Sequence, residues 1–413
     1  MTGSLTAILE REFDACSELE IPGFGQRPML TPSSEEELCE VLRFANRESK
    51  TVLPIGLASK LSWLPALGRV DFALSTQKLS GVVAYEPGDG TLTALAGTRM
   101  SELETEVARG RHLVTPQVAG AETATLGGTL ASGQSGLDRA AFGPPRHHVL
   151  GMRVALADGR VVTSGGRLVK NVTGFDMHRL YSGSFGSLCV IVEASLRLFP
   201  EHETRAVLQR ECADLAEAVS LTALITKSKL TPQFLSLSAV PGAPVMLTAV
   251  IVGRPDTTRW LLKQFGQLLP AARTLESAEG DAEIARIRNL DLRDGSWSDL
   301  RVTCLPSKLG AVLELARKQL PNAELHARPG VAELLLRVPA TTETSELREF
   351  QARCFSLEAR VHWRRSPGQD SLQKRETVAS RLSLKLRREL DPGSLFAGEV
   401  PTLVVQTDSE ASQ

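Results

Sequence analysis

Ala124-Thr125-Leu126-Gly127-Gly128-Thr129-Leu130-Ala131-Ser132-Gly133 stands near the front of the stretch that organises this chain, Pro116 to Pro200. The stretch runs on through Gly136, Gly143 and Gly151 to Leu168-Val169-Lys170-Asn171-Val172-Thr173-Gly174-Phe175-Asp176. It closes with Gly183-Ser184-Phe185-Gly186-Ser187-Leu188 and an alternating strand that ends at Leu198. Glycines this dense, set between strand and helix signals, leave bare backbone N–H groups where something anionic and flat can lie. Thr125 to Gly128 should open a helix whose first N–H groups face such a ligand.

Upstream, residues 1–27 read as a helix and a loop. Ser33 three places before Glu36 has capping-box spacing, and Leu38, Val41, Leu42 and Ala45 follow at helical intervals. Thr51-Val52-Leu53-Pro54-Ile55 reads as a buried strand with Gly56 to Lys60 as the turn beyond its end. Alternating strands follow at Val70–Leu74, Val82–Glu86 and Thr91–Ala96, the last two joined by Pro87-Gly88-Asp89-Gly90. Ser101 and Glu104 give a second cap, for a helix reaching about Arg109. Val149–Ala155 and Arg160–Thr163 form a hairpin closed at Asp158-Gly159.

Thr-Leu-Gly-Gly at 125–128, Lys-Asn-Val-Thr-Gly-Phe-Asp at 170–176, Gly-Ser-x-Gly-Ser-Leu at 183–188 and Val-Ile-Val-Glu-Ala-Ser-Leu-Arg-Leu at 190–198 occur in this order. The set resembles the vanillyl-alcohol oxidase type (PCMH-type) FAD-binding superfamily, and within it the FAD-binding E subunits of bacterial glycolate oxidase. The resemblance covers residues 28–200 well. It implies an α+β chain: a two-subdomain FAD-binding domain over 1–205, then an α+β cap of split-βαβ, ferredoxin-like character over 206–368. A C-terminal helix and tail over 369–405 would return to the first domain, with 406–413 a disordered end.

The resemblance also implies noncovalent FAD. Its contacts would fall on Gly56, Leu57, Ala58, Ser59 and Lys60, on Pro116, Gly120, Thr125, Leu126, Gly127, Gly128, Ala131, Ser132 and Gly133, and on Gly136, Gly143 and Ile191. Leu57 and Ala58 stand where relatives carry glycine. If both need φ > 0, each adds about 1–2 kcal/mol of strain, enough to weaken binding by one to three decades without abolishing it. Lys170, Asn171 and Asp176 beside Gly174 would shape the pocket, or equally form a turn held by Asx-type hydrogen bonds. His147 and His148 read as surface or packing residues rather than a flavin attachment point.

At 413 residues the chain is long enough for two domains. A formal net charge of −1 gives no electrostatic case for nucleic acid. Glu10, Arg11, Glu12 and Asp14 within Met1 to Glu20 argue against a secretory signal. No apolar run approaches the ~18–20 residues of a transmembrane segment. The expected location is cytoplasmic, or peripheral at the inner membrane through partners. The six cysteines, Cys16, Cys39, Cys189, Cys212, Cys304 and Cys354, include no Cys-x-x-Cys, so no metal or cluster site is expected.

The second half offers helical faces at Trp260–Leu269 and Leu309–Leu320, strands at Phe234–Val240, Val245–Val252, Leu300–Leu305 and Ala332–Val338, and a helix over 370–390. Catalytic 2-hydroxyacid dehydrogenases of the superfamily carry a histidine-rich substrate motif in this half. Here only His326 with Arg328, and His362 with Arg360, Arg364 and Arg365, come near it. No catalytic residue is assigned. The resemblance therefore implies a subunit that works beside a catalytic flavin subunit and an iron–sulfur subunit on a small 2-hydroxy acid, docked through the cap or the tail near Phe396. A free-standing FAD oxidoreductase and a flavin-less structural subunit are the alternatives.

Overall fold

A computed structural model describes residues 5–13, 17–64, 67–167, 174–292, 297–365 and 378–398. The contacts divide the chain into two units: residues 1–135, 144–200 and 369–413, and residues 136–143 with 201–368.

The first unit opens with helix α1 (Leu5–Phe13) and strands β1 (Ser17–Ile21) and β2 (Gly25–Leu30). Residues 17–30 are thus an antiparallel hairpin, where the sequence pattern suggested a loop. Helix α2 (Glu35–Arg47) buries Leu38, Val41, Leu42 and Ala45, the face its periodicity predicts. Its cap is Ser34 rather than Ser33: Glu37 N–H donates to Ser34 Oγ at 3.1 Å, and the Glu37 carboxylate turns back to accept from Ser33 N–H at 2.7 Å. Two adjacent serines each had a glutamate three places on, and the buried face selects the register.

Strands β3 (Val52–Ile55) and β4 (Phe72–Ser75) complete a sheet of order β1-β2-β4-β3. Next come β5 (Val82–Glu86), β6 (Thr91–Leu95), helix α3 (Met100–Ala108), β7 (His112–Leu113) and α4 (Leu126–Ser132). The cap expected at Ser101 is absent. Met100 N–H donates to Ala124 O and Ser101 N–H to Ala121 O, so tertiary backbone satisfies the start of α3. After a short α5 (Arg139–Phe142) that belongs to the second unit, β8 (Val149–Ala155), β9 (Val161–Gly165), α6 (Met177–Tyr181) and β10 (Val190–Arg197) follow. These strands form an antiparallel sheet of order β5-β6-β10-β8-β9. The short β11 (Phe199–Pro200) pairs with β7.

The second unit carries β12 (Thr204–Cys212), α7 (Leu215–Lys227), β13 (Phe234–Ala239), β14 (Val245–Gly253), α8 (Pro255–Leu268) and β15 (Arg273–Leu275). Helix α9 (Ser277–Arg288) leads to β16 (Trp297–Thr303), α10 (Leu309–Gln319), β17 (Glu324–Arg328), β18 (Glu333–Pro339), α11 (Thr344–Ser356) and β19 (Arg360–Arg365). The order β-α-β-β-α-β therefore occurs twice. Each repeat makes four strands of one eight-stranded sheet, β15-β12-β14-β13-β17-β18-β16-β19, joined where β13 meets β17. This is the ferredoxin-like architecture expected of the cap, doubled.

Alternation decides the two faces of this sheet. Leu235 and Leu237, Leu325 and Ala327, Leu300 and Val302, and Leu334 and Leu336 join Ile225, Phe265, Val312 and Phe350 from the four helices in one apolar core. The opposite face carries Ser236 and Ser238, Glu324 and His326, Asp299, and Glu333 and Arg337, all buried. It also carries a smaller apolar cluster that includes Leu137, Phe234, Val250, Ile287 and Leu335.

Helix α12 (Val378–Leu390) ends the described helices, and 370–377 of the helix anticipated there lie outside the described residues, as do Cys16 and the tail 406–413. The chain then returns to β3: Val52 N–H donates to Leu395 O, Ala397 N–H to Val52 O, and Phe396 bridges Val52 in parallel. Asp391, only 1% exposed, anchors this return by accepting from Leu395 N–H at 2.7 Å and Phe396 N–H at 3.0 Å. Phe396 itself is fully buried in the first unit's core. Replacing Asp391 with Ala leaves two buried donors without an acceptor, each costing about 1–3 kcal/mol. The expected loss is about 2–4 kcal/mol, read from the urea midpoint; a change below about 0.5 kcal/mol would show that the segment is held some other way.

Candidate functional site

Strand β3 delivers the chain into Gly56–Lys60, and this turn lines a cleft in the first unit of about 460 Å³ including its open mouth. Opposite the turn the cleft is bounded by Thr125, Gly128, Ala131 and Ser132, with Phe185 beside them. The approach is close: a Cβ on Gly56 would lie 2.1 Å from Thr125 Oγ1. Only glycine fits there.

The donors of the turn are the telling feature. Neither Gly56, Leu57, Ala58 nor Ser59 donates its backbone N–H to any described residue. Four successive amides are therefore left for water or a ligand at the wall of a cleft, the arrangement that receives a phosphate. Lys60 adds a cation to the same wall.

The helix start behaves otherwise. Leu126 N–H donates to Thr98 O and Gly127 N–H to Ala96 O, both at 2.8 Å. Gly128 N–H donates to Thr125 Oγ1 at 3.1 Å. The expectation that these N–H groups face a ligand is thus corrected: they tie α4 to its neighbours and cap it, and the turn supplies the free donors instead. Thr125 and Gly128 contribute surface to the cleft rather than open amides.

Of the residues singled out from the sequence, the structure brings together Gly56, Leu57, Ala58, Ser59, Lys60, Thr125, Gly128, Ala131 and Ser132. Leu126 and Gly127 turn inward, and Ile191 is buried in β10 opposite Val154. Gly133, at φ 61°, ends α4 in the left-handed conformation. Pro116 and Gly120 lie outside the cleft lining, and Gly136 and Gly143 belong to the second unit. Lys170 and Asn171 fall outside the described residues; Asp176 pairs with Arg179 at 3.1 Å. His147 sits exposed in a short turn, and His148 is buried edge-on against Phe199.

Sequence reasoning passed over Pro54, Ile55, Leu61, Leu64 and Phe185, which form the apolar part of the lining. Phe185 could have been found, since it sits between the glycines of a motif already singled out. Its φ of 53° is unusual for a bulky side chain.

Leu57 and Ala58 differ in conformation. Ala58 is left-handed at φ 60°, and Leu57 is not among the positive-φ residues. The strain expected at two positions is present at one. It is already present in the folded chain, so it is borne on folding and does not weaken ligand binding.

Four buried polar atoms between residues 115 and 135 have no hydrogen-bond partner among the described residues: Thr115 Oγ1, Thr129 Oγ1, Gln134 Oε1 and Ser135 Oγ. Unsatisfied buried polar atoms are rare in folded proteins and often await a ligand or ordered water. The open amides of the turn, at the wall of the cleft, fit the phosphate of a nucleotide cofactor.

In the second unit, His326 is 4% exposed, with Nδ1 3.0 Å from Ser238 Oγ and Nε2 3.3 Å from Glu324 Oε2. Burial pulls its pKa below the ordinary 6.5, against the upward pull of Glu324. A neutral ring fixed at both nitrogens is a structural histidine rather than a free base.

Comparison with known proteins agrees with this geometry. Residues 28–165 match the FAD binding domain family. The chain is 30% identical over 278 residues to the D-lactate dehydrogenase of Archaeoglobus fulgidus, covering 66% of this chain and 60% of that one. It is 36% identical over 141 residues to the glycolate oxidase subunit GlcE of Escherichia coli, covering 34% of this chain and 40% of that one. The chain thus spans 40–60% of the length of these relatives. Among solved structures, alkyldihydroxyacetonephosphate synthase superposes with a TM-score of 0.69 at 15% identity, over 90% of this chain and 77% of that one, and so shares the fold. The match lies on residues 28–165, and the cofactor it supports is FAD.

Two outcomes test the site. Gly56→Ala, which drives a methyl group into Thr125, should yield folded protein with at least about tenfold weaker FAD affinity by flavin fluorescence titration. Ala58→Gly should leave that affinity within about twofold and change stability by no more than about 1 kcal/mol, because relief of strain and added unfolded-state entropy oppose each other. His326 supplies a third outcome. A group whose folded pKa is depressed contributes stability that is present above its unfolded pKa and lost as pH falls through the folded value. The thermal midpoint should therefore drop as pH falls below about 6.5, and His326→Gln should remove part of that drop; an identical pH profile in the variant would show that this ring is not responsible.

Proposed function

We propose that this chain is the FAD-binding subunit of an oxidoreductase complex acting on a small 2-hydroxy acid, with FAD held noncovalently in the cleft between Gly56–Lys60 and α4. The observation that carries the reading is the run of four amides from Gly56 to Ser59 that have no acceptor among the described residues and belong to residues lining the cleft. Those amides and Lys60 would hold the pyrophosphate, and Leu61, Leu64 and Phe185 would exclude water from one side of it. FAD, when bound, supplies a two-electron acceptor.

The relatives support the class of reaction: one is named a D-lactate dehydrogenase and the other a subunit of glycolate oxidase. Dehydrogenation of a hydroxy acid needs a base within hydrogen-bond reach of the substrate hydroxyl. In the second unit His326 is committed to Ser238 and Glu324 and cannot turn to a substrate without breaking both contacts. This favours the subunit reading, in which a catalytic flavin subunit and an iron–sulfur subunit would complete the reaction. The chain would stand in the cytoplasm or against the inner membrane through those partners.

Purified chain should be yellow, and acid precipitation should release all the colour into the supernatant; colour left in the pellet would overturn noncovalent binding. Mixed anaerobically with millimolar glycolate or D-lactate, the isolated chain should keep its flavin band, since general-base help is commonly worth 10²–10⁴-fold. Prompt bleaching without partners would make it a free-standing oxidoreductase.

A further inference from the structure

One turn of the first unit is held from three sides. Phe185 and Gly186 are consecutive left-handed residues, at φ 53° and 70°. A phenylalanine seldom adopts that conformation, and it persists only where the surroundings enforce it. From α4, Ala131 O accepts from Phe185 N–H at 2.8 Å. From β3, Pro54 lies against Gly186, where an added Cβ would be 3.3 Å from Pro54 Cβ. From the segment that follows α12, Gly398 meets the same turn: a Cβ there would lie 3.3 Å from Phe185 O and 3.4 Å from Ser187 Cβ. Pro54, Ala131 and Phe185 line the cleft, whereas Gly398 stands behind it.

Gly398 belongs to a segment that is itself locked. On one side Val52, at the start of β3, donates its N–H to Leu395 O at 2.7 Å, and its carbonyl accepts from Ala397 N–H at 2.8 Å. On the other side Gly68 N–H donates to Ala397 O at 3.3 Å, and Leu67 bridges Gly398. Asp391 takes the Leu395 and Phe396 amides, and Arg387 Nη2 donates to Phe396 O at 2.6 Å. The segment thus bears on β3, which delivers the turn Gly56–Lys60, and on Phe185 in the cleft wall. One bonded piece supports two parts of the cleft.

We propose that the segment Leu395–Gly398, locked by Asp391 and Arg387, is a latch that holds the cofactor cleft in its binding shape, with Gly398 and Asp391 as positioning residues for FAD. Gly398 acts through Phe185, and Asp391 acts through the two amides that keep the segment beside β3. With the latch undone, the left-handed turn loses one of its three supports and relaxes, taking Phe185 from the wall. FAD binding and latch docking therefore favour each other. This deepens the functional reading above and rests on it for FAD lying in that cleft.

The test is flavin fluorescence titration of the full, folded, flavin-free chain well below its thermal midpoint, with hydrogen exchange at the Leu395, Phe396 and Ala397 amides in the presence and absence of FAD. Asp391→Ala and Gly398→Val should each weaken FAD binding by about fivefold or more, an ordinary size for coupling between two sites. Asp391→Asn, which can still accept from one of the two amides, should fall between wild type and Asp391→Ala. Coupling is reciprocal, so FAD should slow exchange at those three amides in the wild type. A segment that only stabilises the fold would lower the thermal midpoint equally with and without FAD. Unchanged FAD affinity in Gly398→Val and in folded Asp391→Ala, or exchange indifferent to FAD, would overturn the latch. Should Asp391→Ala fold poorly, Gly398→Val and the wild-type exchange rates still decide. Gly56→Ala separates the latch from the cleft. If it weakens FAD binding while both latch variants bind normally, the latch fails and the cleft stands; if it leaves FAD affinity unaltered, the cleft reading fails and the latch falls with it.

Discussion

Gly56 and Thr125 come so close that no side chain fits between them, and the first unit's cleft depends on that approach. It sets the end of β3 against the start of α4. Thr125 then spends its hydroxyl on Gly128 N–H, and the backbones of Thr98 and Ala96 take the next two amides of the helix. With α4 saturated in this way, the turn Gly56–Ser59 is left with amides that have no acceptor among the described residues. Saturating one wall of the cleft is what gives the other wall its chemistry.

The second unit solves a different problem. Four helices cover one face of its sheet with an apolar layer, and the other face buries charge. Buried ions are costly unless paired. Arg337 faces Asp299 at 3.2 Å, His326 lies between Ser238 and Glu324, and Glu333 gathers its three arginines. Apolar residues would cover the face at lower cost in desolvation, so the polar set is consistent with a role in recognition rather than in stability.

Much of this was legible in the sequence because local chemistry agreed with the fold. The glycine-rich stretch located α4 and the strand β10, the apolar run Thr51–Ile55 located β3 and the turn beyond it, and alternation marked the hairpin of β8 and β9. The losses have physical causes. The cap at Ser101 failed because backbone from Ala121 and Ala124 satisfied the helix start, a contact no local pattern encodes. Strand β17 was missed because Glu324, His326 and Arg328 look like a solvated face, whereas all but Arg328 are buried. The doubling of the second unit was hidden for a related reason: its repeats share an order of elements, not a run of residues. Within the site, the turn was found by its glycine, while Leu61 and Leu64 carried no signal apart from being apolar.

The seam between those repeats is narrow. β13 and β17 register through Leu237 with Ala327, Ser238 with His326, and Ala239 with Leu325. A slip of one residue would turn Ser238 and His326 into the helical layer, so the polar pair fixes the register. Each repeat closes largely on its own strands, and the seam joins residues 88 apart in sequence. If it opens, two bare strand edges are exposed, each complementary to the other's counterpart in a second molecule. The same hydrogen bonds could then form between chains, so the doubled sheet carries within it the geometry of a domain-swapped dimer.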